Sequence, residues 1–130
     1  MSDDFIRTDS TLTTEQAVTK VQEAAKANGF GVLGVLNLRQ IMANKGVQYG
    51  EDATVVEICE PNYARQFLTI DQRVAPCLPC RIAVTSVGGK TVIQTVRPSS
   101  MMRMFENKAL DTPARETDVA IEKIVAAARA

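Results

Sequence analysis

The sequence contains no histidine and no tryptophan. Without histidine there can be no Ser-His or Cys-His nucleophile pair, no histidine general base and no histidine metal ligand. Only two tyrosines and four phenylalanines are present, too few to predict a platform for stacking bases. Fifteen basic residues balance fifteen acidic ones, so no general attraction draws the chain to a phosphate backbone or an anionic membrane. We therefore expect neither a nucleic-acid partner nor a membrane partner.

Long apolar runs are also missing. No stretch approaches the ~20 residues that a bilayer-spanning helix needs. The first four residues are polar and acidic, whereas a secretory signal needs a basic start and an apolar run. These features predict a cytoplasmic protein, in which thiols are kept mainly reduced. The odd number of cysteines, three, agrees with this prediction because a disulfide framework favours an even number.

The patterns that are present predict a single α+β domain over residues 1–130. A hydrophobic fraction of 45% and a charged fraction of 23% are ordinary for a globular chain. Thr13 and Gln16 have capping-box spacing before a helix over 14–28, and Gly88-Gly89 joins two β-rich segments over 81–87 and 90–96. We expect two layers, with helices covering one face of a mostly antiparallel sheet. The other predicted elements are strands over 5–8, 30–38 and 53–59, short helices over 39–45, after Pro61 and over 101–105, an irregular segment over 71–79, and a last helix starting at Thr112-Pro113.

Two glycines interrupt the second predicted strand. Gly31 and Gly34 indicate a bulge or a close backbone approach. The approaching group is either a helix packed on the sheet, which we favour, or a ligand lying on it.

A series of motifs from residue 29 onward resembles a known family. The motifs are Gly-Phe-Gly-Val over 29–32, Cys-Glu-Pro-Asn-Tyr-Ala over 59–64, Leu68, Leu-Pro-Cys-Arg-Ile-Ala-Val over 78–84, Val-Arg-Pro over 96–98, and Asn107. Together they resemble the domain of unknown function 302. The resemblance implies a β-α-β(4)-α order similar to the TATA-binding-protein fold, a homodimer, and no established activity; the fold analogy carries no DNA binding with it. The chain departs from the pattern in its extra thiol, Cys77, and in Glu60 before Pro61, where asparagine is more usual.

The three cysteines form the main candidate site. Cys77 and Cys80 have C-x-x-C spacing, but the motif precedes a strand, so the helix that lowers a thiol pKa in thioredoxin-like enzymes is missing. Arg73 and Arg81 could stabilise a thiolate instead. Cys59 ends one strand and Cys80 begins another, so three thiols could converge and bind Zn²⁺ or Cu⁺. The alternative, which we favour for Cys59 and Cys80, is that they are small core residues; Cys77, in a Pro-rich loop, is predicted to be the most exposed.

Met101, Met102 and Met104 form a second candidate, a ligand or partner surface. Flexible thioethers fill irregular cores, suit adaptable contacts and bind Cu⁺. We favour a core or dimer contact.

Two further groups of polar residues have simpler interpretations. Ser99 and Ser100 are interpreted as helix caps because no general base is recognisable near them in sequence. The carboxylates of Asp3, Asp4, Glu51 and Asp52 are interpreted as solvated charge.

Two hypotheses for the function follow. The first is a homodimeric binding module without its own catalysis, which recognises a small ligand, a soft metal ion or a protein partner. The second is a thiol-dependent redox or sulfur-handling protein in which Cys80 or Cys77 attacks and another cysteine resolves. The second requires an exposed thiol of lowered pKa and a partner thiol whose Cα lies within roughly 7 Å. The sequence indicates no particular cofactor.

Overall fold

The computed structural model describes residues 3–130 and contains five strands, five α-helices and three short 3₁₀ helices in that range. The strands pair only in antiparallel fashion, in the order β1-β5-β4-β3-β2. The predicted α+β class is therefore confirmed. In chain order the elements are β1 Phe5–Ser10, α1 Thr14–Ala27, β2 Gly31–Asn37, α2 Leu38–Asn44, β3 Ala53–Cys59, α3 Pro61–Ile70, a 3₁₀ helix Gln72–Cys77, β4 Cys80–Val87, β5 Lys90–Val96, α4 Pro98–Met102, 3₁₀ helices Arg103–Phe105 and Lys108–Leu110, and α5 Asp111–Ala127.

Helix α1 begins at the predicted capping box. The Gln16 amide N–H donates to Thr13 Oγ1 at 3.1 Å, and the Thr13 N–H donates to Gln16 Oε1 at 3.0 Å. Two backbone donors without intrahelical partners are thereby satisfied. Gly29, at φ +83°, follows the helix in the left-handed region and turns the chain towards β2.

The hairpin of β4 and β5 is confirmed at its predicted position. Val87 pairs with Lys90, so the loop is the two residues Gly88 and Gly89. Their φ angles are +56° and +85°. A two-residue turn with positive φ at both positions is one that glycine adopts without a steric penalty.

The glycines of β2 lie against the next strand. The pairing of β2 with β3 shifts register between Val32 and Gly34, which is the bulge that the sequence indicated. A Cβ at Gly34 would lie 3.2 Å from Glu57 Oε1, and one at Gly31 would lie 3.8 Å from the Cys59 carbonyl oxygen. The favoured interpretation, a helix packed on these glycines, is therefore wrong, because the neighbouring atoms belong to β3.

Two predicted local features differ in the structure. The segment predicted to be irregular contains the 3₁₀ helix Gln72–Cys77, which begins where Asp71 Oδ1 accepts from the Arg73 N–H at 3.1 Å. Ser99 does not cap α4; its own N–H and Oγ donate to Asp118 of α5 at 2.9 and 2.6 Å. The carboxylate that caps the start of α4 thus comes from a distant part of the chain, which local sequence cannot indicate.

The core has two parts. The larger lies between the sheet and helices α1 and α5, and includes Val21, Val56, Ile82 and Ile124. The smaller lies beyond one end of the sheet, between α3, α4 and α5, and centres on Phe67. Tyr63 packs against both parts, so the end of the sheet where β3 finishes and β4 starts joins them.

Within residues 3–130, no helix is both long enough and apolar enough to cross a membrane.

Candidate functional site

The sheet brings two of the three predicted thiols together. Cys59 is the last residue of β3 and Cys80 is the first of β4, and the register places Ile58 directly across from Cys80. Both cysteines line one cavity of about 20 Å³ together with Tyr63 and Phe67. A cavity of that size holds about one water molecule. The expectation that Cys59 and Cys80 meet at one end of the sheet therefore agrees with the structure.

Both of these thiols are held in the protonated form. Burial, followed by the nearby Cys59, raises the pKa of Cys80 to about 11, and the opposing effect of Arg81 is weaker. Burial, followed by the charge of Glu60, also raises the pKa of Cys59. Low-dielectric surroundings disfavour the thiolate because it loses the solvation of its charge. At neutral pH these two thiols are weak nucleophiles.

Cys77 lies apart from this pair. It ends the 3₁₀ helix before β4 and packs against the smaller core, with Phe67 and Val74. It is half-buried, as are Cys59 and Cys80, so its predicted greater exposure stays a prediction. The chain after it continues into β4, and the helix N-terminus that would lower a thiol pKa is absent from the motif, as the sequence predicted.

Arg73 and Arg81, which were predicted to stabilise a thiolate, donate hydrogen bonds to carboxylates. Arg73 donates from Nε and Nη2 to the two carboxylate oxygens of Asp71, at 3.0 and 2.7 Å, and its guanidinium lies 5.6 Å from the centre of the Phe105 ring. Arg81 Nε donates to Glu57 at 3.3 Å. Across residues 3–130 no three Cys, Asp or Glu side chains are grouped so as to hold a metal ion. The convergence of three thiols on one metal therefore has no geometric support.

The side chain of Glu60 caps the start of α3. Its Oε2 accepts from the Tyr63 N–H at 3.0 Å, and its Oε1 accepts from Asn62 Nδ2 at 3.1 Å. Pro61 occupies the first turn, where its missing N–H leaves no hydrogen bond unmade. The departure from the family pattern at this position therefore leaves a properly capped helix, because the glutamate carboxylate accepts the bond that a shorter side chain would otherwise accept.

A polar cleft adjoins the thiol cavity. It measures about 590 Å³ and shares Glu60 and Tyr63 with the cavity. The end of α1, the start of α3 and one residue of α5 form its walls. Its lining residues are Asn28, Gly29, Glu60, Asn62, Tyr63, Arg65, Gln66 and Glu116. We call this cleft and the cavity beneath it the thiol-end cleft; sequence patterns could not predict it because its walls come from three separate segments.

The three predicted methionines do not share one surface. Met102 is 4% exposed and belongs to the smaller core, so it is not part of a ligand surface. Met101 is half-buried, and Met104 is 66% exposed. The favoured core role is therefore correct for Met102, whose unbranched thioether fills the space beside Phe67 and Leu110.

The carboxylates of Glu51 and Asp52 are not simply solvated. Asp52 accepts from Thr14 Oγ1 at 2.7 Å and from Arg39 Nη1 at 2.9 Å, and these two bonds, in that order, lower its pKa. Glu51 accepts from Ser86 Oγ at 2.6 Å, which with the Gly88 N–H lowers its pKa. The pair joins the starts of α1 and α2 to the β4–β5 hairpin, at the opposite end of β3 from the thiols.

Sequence reasoning also missed a polar cluster beside the smaller core. Asp71 accepts from Arg73 and, at 3.3 Å, from Asn107 Nδ2, and the Arg73 bonds are the main reason that its pKa is well below the ordinary value. Arg73 Nη2 also donates to the Phe105 carbonyl oxygen at 3.0 Å. The cluster fastens the 3₁₀ helix Gln72–Cys77 to the segment before α5. Asn107 was visible as part of the family pattern, but its partner was not.

Comparison with known proteins agrees with this architecture. The fold is that of a two-layer α+β protein with a five-stranded antiparallel sheet. The pattern of the domain of unknown function DUF302 matches residues 6–128, and the chain belongs to that family. The crystal structure of an uncharacterized conserved DUF302 protein from Bacillus stearothermophilus is similar to this chain, with 23% identity, a TM-score of 0.93, and coverage of 98% of this chain and 100% of that one. No curated protein matches the sequence.

Proposed function

We propose that this protein is a homodimeric binding module without catalysis of its own, and that it holds a small polar ligand in the thiol-end cleft. The main support is the state of Cys59 and Cys80. Both line the cavity beneath the cleft and both have raised pKa values, so they act as neutral contact groups. Protonated thiols suit the recognition of a ligand, and they are poor nucleophiles.

The competing hypothesis, thiol-dependent redox or sulfur chemistry, needs an attacking thiolate. Cys80, one of the two predicted attacking thiols, has the opposite property, because burial raises its pKa to about 11. The other, Cys77, is half-buried and packs against the smaller core. Arg81, the cation that could have offset burial, is also bonded to Glu57. The binding hypothesis requires no such thiolate and is therefore better supported.

The lining of the cleft indicates the kind of ligand. Asn28, Asn62 and Gln66 bring amide groups that can donate and accept. Of the charged lining residues, Arg65 is positive and Glu60 and Glu116 are negative, but the Glu60 carboxylate already accepts the hydrogen bonds at the start of α3. Arg65 and Glu116 therefore leave one charge of each sign for a ligand. The cavity beneath has room for about one water-sized group. The ligand that fits is a small molecule with donors, acceptors and balanced charge, such as a zwitterion or an amide, with its bulk in the polar cleft.

Binding can be tested by ¹H–¹⁵N NMR of the reduced protein with a library of small zwitterions and amides. We expect ligands that shift the backbone signals of Asn62, Arg65 and Gln66, and we expect Arg65→Gln to weaken their binding. Arg7→Gln, on the far strand β1, is the matched control and should leave binding unchanged. Rapid disulfide reduction by the protein that is lost in Cys80→Ser would contradict the proposal and restore the redox hypothesis. Shifts that map elsewhere would remove the cleft as the site.

A further inference from the structure

The two edges of the sheet differ in their protection against pairing with another strand. The edge strand β1 carries Arg7 and Asp9, and the residues after it bond to the C-terminal segment, where the Thr11 N–H donates to the Arg129 carbonyl oxygen at 3.2 Å. The other edge strand, β2, has the sequence Gly-Val-Leu-Gly-Val-Leu-Asn and carries no charge. Charged side chains and covering segments are common devices that keep an edge strand from pairing. Among these devices β2 has only the bulge at its first half.

Exposed apolar side chains are concentrated on and just after β2. Leu33 is 63% exposed, and helix α2, which packs on β2 and β3, has no buried residue at all. Clustered exposure of this kind marks an interaction site more often than single exposed residues do. We call the group the β2 surface; its members are Leu33, Val35, Leu36, Leu38, Ile41, Val47 and Tyr49.

The helix layer is too narrow to cover β2. Five strands about 4.8 Å apart span on the order of 24 Å, whereas α1 and α5, each about 10 Å wide, cover roughly 20 Å. Val35 shows the result: it pairs with the fully buried Val56 on the helix-covered face, yet it is 42% exposed. An open groove of about 300 Å³ lies there between Val35 and Val18 of α1.

We infer that β2 pairs with β2 of a second copy of this chain, in antiparallel fashion about a two-fold axis, so that two five-stranded sheets become one. This inference rests on the homodimer in the proposed function and adds its surface. Past the bulge, the stretch Gly34–Asn37 keeps regular pairing with β3, from Glu57 to Thr54. Its outer side therefore offers a regular row of backbone groups to a partner strand.

The charge pattern favours a copy of the same chain over an unrelated charged partner. In a two-fold contact the same patch meets itself, so an uncharged patch meets an uncharged patch and no charge is left without an opposite partner. Residues 31–38 have no charged side chain. The next residue along the chain, Arg39, forms an ion pair with Asp52 at 2.9 Å. Pairing of β2 with β1 of another copy would instead be head-to-tail, which adds further copies until a ring closes or a filament grows.

The available area also fits. At their exposed fractions, the seven side chains of the β2 surface present on the order of 600 Å² per copy, against about 800 Å² per partner in a standard interface. Backbone of β2 and the polar side chains beside it supply the rest. The exposed apolar area of the β2 surface therefore approaches what a standard interface buries on each partner.

The test is sedimentation velocity over a wide range of protein concentration. We expect the wild type to sediment as a dimer, and we expect Leu36→Lys to raise the dissociation constant by about 100-fold or more, because two like charges then face each other across the axis. Val119→Lys is the matched control, since Val119 of α5 is 51% exposed and Leu36 is 40% exposed. This control should remain a dimer. Circular dichroism of each variant establishes that the fold is retained.

Hydrogen exchange of the wild type gives a second readout that needs no variant. On dilution below the dissociation constant, amides of β2 should lose protection while those of β1 keep theirs. A wild type that is monomeric throughout would overturn both this inference and the homodimer, while ligand binding in the thiol-end cleft would still be decided separately by NMR. A folded Leu36→Lys protein that stays dimeric, or a dimer without added protection in β2, would overturn only the proposed surface.

Discussion

Raising the pH from 9 to 11 should destabilise this protein through one thiol, that of Cys80. Burial and the neighbouring Cys59 raise the pKa of this group from an ordinary 9.0 to about 11 in the folded chain. When the pH lies between these two pKa values, the Cys80 thiol is ionised in the unfolded chain and still protonated in the folded chain. The unfolded state then binds fewer protons, so the free energy of unfolding falls as the pH rises. The stability that the protonated Cys80 thiol contributes is fully present below about pH 9 and is lost above about pH 11.

The expected size follows from the difference between the two pKa values. Each pKa unit corresponds to about 1.4 kcal/mol, so the change from 9.0 to about 11 corresponds to about 3 kcal/mol. Whole domains are stable by only about 5–15 kcal/mol. The loss is therefore large enough to measure by ordinary denaturant titration.

Urea unfolding at a series of pH values between 8 and 11.5, roughly bracketing the two pKa values, measures the effect. Lysines and tyrosines also titrate in this range, so the informative quantity is the difference between wild type and Cys80→Ala. We expect the wild type to lose about 3 kcal/mol more than Cys80→Ala across the range. Cys77→Ala makes the same chemical change at the other end of the C-x-x-C motif, and it measures what the loss of a half-buried thiol alone does to stability.

A second assay reads the same thiol directly. Alkylation of the native, reduced protein, with each cysteine assigned by mass spectrometry, should show Cys80 reacting at pH 7 about 100-fold more slowly than a thiol of ordinary pKa, because the thiolate fraction falls by that factor. The reasoning is refuted if the wild-type and Cys80→Ala stabilities run parallel from pH 9 to 11. It is also refuted if native Cys80 ionises at or below 9.0.

Three further predictions concern the regions around the thiol end. Phe67→Ala should lower the free energy of unfolding by about 3–5 kcal/mol because it empties the centre of the smaller core, whereas Phe5→Ala, at the exposed edge, should cost less than about 1 kcal/mol; equal losses in urea unfolding would contradict the two-core description. Asp118→Ala should cost about 1–2 kcal/mol and speed hydrogen exchange at Ser99, whose N–H it leaves unpaired; unchanged exchange there would show that the carboxylate is not the cap of α4. The lowered pKa of Asp71 adds stability above its ordinary value of 3.8, which is lost as the pH falls below that value; acid unfolding of Asp71→Asn should therefore be less steep than that of the wild type, and identical acid transitions would contradict this.

Local chemistry explains which parts of the fold were predictable. The capping box of Thr13 and Gln16 and the turn at Gly88-Gly89 depend on residues at most three apart, so their geometry is determined by the residues themselves. The cap of α4 could not be found in the same way. Asp118, which supplies it, lies 19 residues after Ser99, and only the packing of α5 brings the two together.

The candidate site likewise has features that the sequence could predict and features that it could not. The placement of Cys59 at the end of one strand and Cys80 at the start of the next was predictable, since antiparallel neighbours bring such ends together. Their protonation state was not, because it depends on burial that two separate segments create. The methionines show the same limit: Met102 and Met104 are two residues apart, yet one is in the core and the other is exposed.

By itself the sequence determined the α+β class, the family, most of the strands and helices, and the absence of histidine chemistry, because these follow from composition and from short-range patterns. Only the tertiary structure decided that Cys59 and Cys80 share a cavity while Cys77 packs elsewhere, that three segments form the polar cleft beside them, and that β2 is the unprotected edge of the sheet. Each of these depends on which distant segments pack together and how much solvent they exclude, and that is a property of the whole packed chain.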